Sequence, residues 1–321
     1  MLGNTAPHPL PTAATSLILY VVAGISKHSA VGAFGVLVLK LNESEFKPVF
    51  TQIYEWGNGI AATTTADTPG AASSGGLQFA DPHGLWRRSV LFYRFVNELA
   101  EKLKAIFVPF YRHILDGLVK HLGAAVAESP GDRRGNSKSR KRRKGSGGEK
   151  LDAQHSEVAT TASRELADHA TDAVCKLFLF DSDQEVATES RLLELVEPLA
   201  SQLDCTFNLD VPDYRARIAE TVVPCVSQLA VCGSSYDVWK PLNHALLSRS
   251  RSDRPAVRTA ALMCVEALFS KLAEEYLVLL PETIPFLAEL MEDDDIEVEA
   301  LVKKLVNRIE DLSGEKLTNY L

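Results

Sequence analysis

Long apolar runs are missing from this 321-residue sequence, and so are the short motifs that mark catalysis. Leu17–Ile25 is apolar, but Ser26-Lys27-His28-Ser29 ends it well short of the roughly 20 residues that cross a bilayer. No Lys or Arg precedes Lys27, so the basic start of a secretory signal is also lacking. The expectation is a soluble intracellular protein without a membrane partner. The five cysteines (Cys175, Cys205, Cys225, Cys232, Cys264) are odd in number and form no Cys-x-x-Cys, which reads as core thiols in a reducing compartment. The eight histidines show no metal spacing, and His113 and His121 stand eight apart on one helix. There is no nucleophile elbow, phosphate-cradling loop or dinucleotide fingerprint. The pairs Gly75-Gly76 and Gly147-Gly148 fall in low-complexity stretches instead. No enzyme activity, cofactor, metal or small-molecule substrate is expected. Strand alternation of useful length is absent, which points to an all-α fold.

What is present is helical period. In Arg254–Met291 the apolar residues Ala260, Ala261, Cys264, Val265, Leu268, Phe269 and Leu272 follow Val257 along one helical face. Asp253 is placed to cap that helix, and Pro255 sits in its first turn, where a missing N–H costs nothing. A second apolar helix, Glu282–Met291, carries Pro285. A helix opening Val257-Arg258-x-Ala260-Ala261 beside one built Pro285-x-Leu287-x-x-Leu290 has the pattern of a HEAT repeat. Spacing extends it into an array: Pro198 to Pro241 is 43 positions, Pro241 to Pro285 is 44, and Val257 to Val298 is 41. A period near 40–47 belongs to HEAT and armadillo units.

Taken in order, residues 1–33 form an atypical, poorly ordered start, and 34–321 an α-solenoid of about five helix pairs. The pairs are Glu45–Trp56 with Leu85–Lys104, Ala105–Leu122 with Glu157–Phe180, and Glu189–Leu203 with Asp213–Val231. Tyr236–Ser248 then pairs with the helix from Val257, and Glu282–Met291 with Ile296–Leu312, which Ser313-Gly314 ends. Insertions at 57–84 and 123–156 lack the apolar surface to offset their ordering entropy and are expected to be disordered.

The net charge of −8 conceals an asymmetry, because Arg133–Lys144 holds eight basic residues and no acidic one. The rest of the chain stands at −16, which argues against a broad nucleic-acid footprint on the folded part. Within that run, Arg140, Lys141, Arg142, Arg143 and Lys144 read as a solvated linker, a nuclear import signal or an RNA contact. No aromatics interleave to stack on bases.

Two further features concern the repeats. Glu292-Asp293-Asp294-Asp295 lacks the glycine and spacing of a calcium loop, and reads as an interhelical turn whose charge suits a helix N-terminus, or as a dock for a basic partner. Arg258 is either a solvated charge or a rung of an inter-repeat ladder reaching Asp253, Asp294 or Asp295. Glu299 replaces that arginine in the last unit, where a ladder would stop.

Several stretches carry a resemblance to one family. They are Phe46-Lys47-Pro48-Val49-Phe50 with Tyr54-Glu55-Trp56, Phe92-Tyr93-Arg94 with Ala100–Lys104, Val238–Asn243, and above all Leu279–Asp293. They resemble the C-terminal region of the large nucleolar HEAT-repeat protein of the U3 small nucleolar RNA-associated group. Members of that family are several times longer than this chain. The resemblance implies a non-catalytic scaffold of the small-subunit processome, in nucleus and nucleolus. Its implied partners are processome proteins and the U3 ribonucleoprotein, with pre-rRNA an open case, and its implied role is pre-rRNA processing and support of rRNA transcription. A HEAT-type nuclear transport adaptor binding basic cargo is the other reading of the same acidic array.

Overall fold

The computed structural model describes residues 42–58, 82–128 and 149–317, and every regular element among them is helical. The N-terminal stretch 1–33, the basic run and most of both insertions lie outside the described residues. The chain divides into two compact units, Met1–Lys102 and Leu103–Leu321.

In the first unit, α1 (Glu43–Gly57) faces α2, which begins at Pro82 and ends at Leu103. A reciprocal box starts α1: the Asn42 side chain accepts from the Glu45 N–H at 2.9 Å, and the Glu45 carboxylate accepts from the Asn42 N–H at 3.2 Å. The two helices meet through aromatics, with Phe92 5.6 Å from Tyr54 edge-on and 6.1 Å from Phe50. Gly57 closes this contact. A β-carbon there would lie 2.7 Å from that of Phe92, so only glycine lets the end of α1 approach, and its carbonyl accepts from the Ser89 hydroxyl at 2.8 Å.

Among its described residues the second unit is a two-layer stack of four helix pairs. The first layer comprises α3 (Tyr111–Glu128), α5 (Glu189–Ala200), α8 (Tyr236–Arg249) and α10 (Leu280–Leu290). The second comprises α4 (Glu149–Phe180), the α6–α7 helix (Val211–Arg217 and Val223–Gly233), α9 (Pro255–Leu272) and α11 (Ile296–Ser313). Each helix packs on its pair mate and on the next helix of its own layer. This is a HEAT-type array, and its pairs are those read from the sequence. The core between the layers is mostly aliphatic: Leu118, Leu177, Leu195, Leu229, Leu246, Val265, Leu268, Val302 and Leu305 are fully buried. Burying each of these side chains contributes on the order of 2 kcal/mol.

Boundaries differ from the sequence reading for local reasons. Helix α3 runs on to Glu128 and α4 starts at Glu149, so helix reaches into the stretch 123–156 from both sides. The helix expected from Ala105 opens instead as a 3₁₀ turn, Lys104–Phe110, containing Pro109, which has no N–H to give an α-helical bond. Pro224 is accommodated by a π turn, Ile218–Val222, between α6 and α7. The prolines that revealed the period are not all equivalent. Pro241 and Pro285 each hold the sixth place of their helix, whereas Pro198 lies two residues from the end of α5.

Polar groups fix the turns. Asp181, 2% exposed, accepts the backbone N–H groups of Glu185, Val186 and Ala187 at 2.7–2.9 Å and so builds the loop from α4 to α5. Asn243, fully buried in α8, donates to the Thr283 hydroxyl of α10 and accepts from the Tyr276 hydroxyl, both at 3.1 Å. Lys104 and Ala273 both have φ of 49° and both introduce 3₁₀ turns, the second being Ala273–Leu279.

Candidate interaction surface

The charged side chains of the second unit lie chiefly across the junctions between successive pairs. In the first layer Arg191 of α5 reaches Asp116 of α3 at 2.9 Å. Arg249 at the end of α8 reaches Glu197 at 2.6 Å and Asp204 at 3.0 Å, in and just beyond α5. Lys240 reaches Glu282 of α10 at 3.0 Å, and Arg251 pairs with Glu289 of the same helix while stacking on Phe286. In the second layer Arg217 reaches Asp168 of α4 at 2.6 Å, and Lys304 of α11 reaches Glu266 of α9 at 2.8 Å. The exposed pairs are each worth ~1 kcal/mol or less. The half-buried and buried ones fix how one pair seats on the next.

Arg258 occupies the fourth place of α9, and its Nη2 donates to Oδ1 of Asp293 at 2.6 Å, in the turn before α11. Nη1 donates to the Ser252 carbonyl at 2.9 Å, and Nε is buried without an acceptor. The sequence expected Asp253, Asp294 or Asp295 as acceptor, and none of them fills that place. Asp295 spends its carboxylate capping α11, accepting from the N–H groups of Glu297 and Val298 at 3.0 and 3.2 Å. Asp294 is exposed and turned outward. Asp253 is exposed and does not cap α9 either: Arg254 takes the cap position without a side-chain bond, and its N–H bonds the Ser252 hydroxyl. Burial pushes the Asp293 carboxyl up, but the Arg258 hydrogen bond, the Asp295 backbone N–H and the Arg258 charge outweigh it. The carboxyl is held below the usual range.

Sequence reasoning missed Arg217, the most deeply buried of these cations. It stands 41 positions before Arg258, so the period carried backward would have found it. Its Nη groups bond the Gln202 carbonyl at 3.3 Å and the Gln202 side-chain oxygen at 3.2 Å, and the guanidinium lies 4.9 Å from the Phe207 ring centre. Glu299, the last residue of this series, faces only Lys303 one turn on. The basic residues Arg140, Lys141, Arg142, Arg143 and Lys144 fall outside the described residues.

The second-layer face carries an apolar groove of about 560 Å³ between α4, α7 and α9, lined by Leu179, Val223, Pro224, Met263 and Ala267 with Cys175 among them. Another depression, about 580 Å³, lies at the turn edge between Tyr214, Arg254 and Glu297. Among the described residues no three His, Cys, Asp or Glu side chains are grouped to hold a metal ion. None of the described helices is long and apolar enough to cross a membrane. The second unit presents helical faces whose successive pairs are joined by ion pairs.

The family model of the BP28CT (NUC211) domain matches residues 23–186. An uncharacterised protein of Arabidopsis thaliana is 32% identical over 92% of this chain, which covers 12% of that protein. HEAT repeat-containing protein 1 of Danio rerio is 32% identical over 89% of the chain, again 12% of the relative. U3 small nucleolar RNA-associated protein 10 of Aspergillus oryzae is 30% identical over 89%, or 14% of its own length. The chain therefore spans about an eighth of the length of each of these three relatives.

Proposed function

The chain belongs to the BP28CT domain family, the C-terminal region of HEAT repeat-containing protein 1 and U3 small nucleolar RNA-associated protein 10, and on that premise we propose that it is a docking scaffold of the small-subunit processome. Its partners are processome proteins and the U3 small nucleolar ribonucleoprotein, and its place is the nucleolus. There it supports processing of the small-subunit rRNA precursor and transcription of that precursor, by binding and without catalysis.

The observation that supports this reading is the fastening of successive pairs by Arg191, Arg217, Arg249 and Arg258. Ion pairs across each junction of the second unit hold its helical faces in fixed relation, which suits a surface that several proteins read at once. A reaction cleft would concentrate such groups in one place. The basic run Arg140–Lys144 serves nuclear entry in this proposal.

Affinity-tagged chain expressed in cells should recover U3 RNA, pre-rRNA and processome proteins above a tag-only control. Recovery of import factors and cargo with no rRNA would reject the scaffold in favour of a transport adaptor. Deleting residues 133–144 should move a fluorescent fusion of the chain from nucleus to cytoplasm, and an unchanged distribution would reject the import role.

A further inference from the structure

The apolar groove between α4, α7 and α9 ends on a hydrogen-bond acceptor that its own helix leaves unused. In an α-helix the Ala219 carbonyl would accept from the N–H of Val223, but across the π turn that N–H donates to the Ile218 carbonyl. The next residue in line for Ala219 is Pro224, which has no N–H. Ala219, Val223 and Pro224 all line the groove, so the spare carbonyl opens onto it.

The two ends of the groove differ in charge. Val211, Pro255 and Asp295, at the starts of α6, α9 and α11, meet around the depression at the turn edge, so these helices run in one direction. Lys271, one place before the end of α9, therefore lies at the far end of the groove from Ala219. It is exposed, as is Glu220 beside Ala219, and neither is in an ion pair among the described residues. Glu266, the remaining charge in the lining, is held by Lys304 at 2.8 Å. Between the ends the wall is mostly apolar, with Leu179 standing 52% exposed along one side. By the 41-residue period Lys271 is level with Ala230, eleven places beyond Ala219. That distance is about 16 Å, or roughly three helical turns.

An extended segment laid here would bury a row of N–H and C=O groups against a surface offering one free carbonyl, whereas a helix satisfies its own. We infer that the groove seats an amphipathic helix of a partner protein, about three turns long, with its apolar stripe toward Leu179, Val223 and Met263. Its C-terminal end carries an Arg or Lys that donates to the Ala219 carbonyl and pairs with Glu220. Its N-terminal end carries an Asp or Glu that meets Lys271. This orientation places each charge favourably on the partner's own dipole and runs the helix antiparallel to α7. The inference gives the scaffold reading a partner chemistry and rests on that reading.

The test uses the purified full chain and fluorescein-labelled, helix-stapled leucine peptides of about three turns, read by fluorescence anisotropy. One peptide has Glu at its N-terminal end and Arg at its C-terminal end, and two controls have Glu or Arg at both ends. The first should bind on the order of tenfold tighter than either control and slow hydrogen exchange at 219–228 and 263–271. Glu220→Lys should give the all-Glu peptide the advantage, and Ala219→Trp should abolish binding by blocking the groove. Both positions are exposed, and should either variant fail to fold, the three-peptide comparison on the wild type decides. No saturable binding, equal affinities, or protection elsewhere on the chain would overturn the proposal. So would a wild-type dimer that Ala219→Trp converts to monomer, because a second copy would then be the occupant. Failure here with U3 RNA still recovered from cells would strike the helix and leave the scaffold standing.

Discussion

Arg217 and Arg258 stand in the first two turns of successive second-layer helices, 41 residues apart, yet they reach in opposite directions along the array. Arg217 reaches back to Asp168 in the preceding helix pair. Arg258 reaches forward to Asp293 in the following turn. The difference follows from what each finds near its own turn. Arg217 lies beside Gln202, which offers two oxygens, and over Phe207. Arg258 has only the Ser252 carbonyl nearby, and its Nε remains without an acceptor. A repeat thus conserves the place of a cation more readily than the direction in which it is used.

The comparison can be broken experimentally, and the largest effect belongs to Arg217. Arg217→Ala should cost about 3–4 kcal/mol in urea unfolding, because half-buried Asp168 loses its partner and fully buried Gln202 its donors. Hydrogen exchange should quicken in α4 and leave α11 unchanged. A loss under about 1 kcal/mol would mean that the back-reaching contacts are surface pairs in effect. Arg258→Ala should cost less, about 2–3 kcal/mol, since one nitrogen was unsatisfied to begin with. Its exchange signature should appear at residues 291–299 and spare α4, and the reverse pattern would erase the claimed polarity.

Asp293→Asn sharpens the same contrast through pH. A carboxyl held below its unfolded pKa near ~3.9 stabilises the fold fully above that value. That stability is lost as pH falls through the lower, folded pKa. The Asn variant has no proton to take up, so its deficit of about 2 kcal/mol at pH 7 should shrink by pH 3. A deficit independent of pH would show that the ionised carboxylate was not the stabilising form. The smallest effect should come from Glu299→Arg, within about 0.5 kcal/mol, because Glu299 meets only Lys303 on an exposed face. A large loss would show that the series of opening residues still bears structure in the last pair.

The helices were legible because an apolar residue every third or fourth place leaves no other way to bury that face, as from Val257 to Leu272. Pair assignment followed from spacing and amphipathicity. The proline spacing was a poorer guide than it looked, since Pro198 sits near a helix end while Pro241 and Pro285 share a place. Arg258 could be singled out, but its acceptor could not. Three consecutive aspartates precede α11, and which one turns inward is set by backbone dihedrals at the cap, where Asp295 is committed to two N–H groups. Asp181 and Asn243 were invisible for a related reason: their partners are backbone groups or distant hydroxyls, which leave no periodic trace.

Asn243 has a bearing on how the array selects one alignment. Leucine and valine surfaces tolerate sliding, and two helices could slip by a turn, about 5.4 Å, with much of their apolar contact kept. Such a slip between α8 and α10 would strand the Asn243 amide and the Tyr276 hydroxyl in a dry interface, while Thr283 kept its bond to the Leu279 carbonyl. Each stranded group would cost about 1–3 kcal/mol. The network therefore acts as a detent, contributing little to adhesion while making the neighbouring alignments expensive.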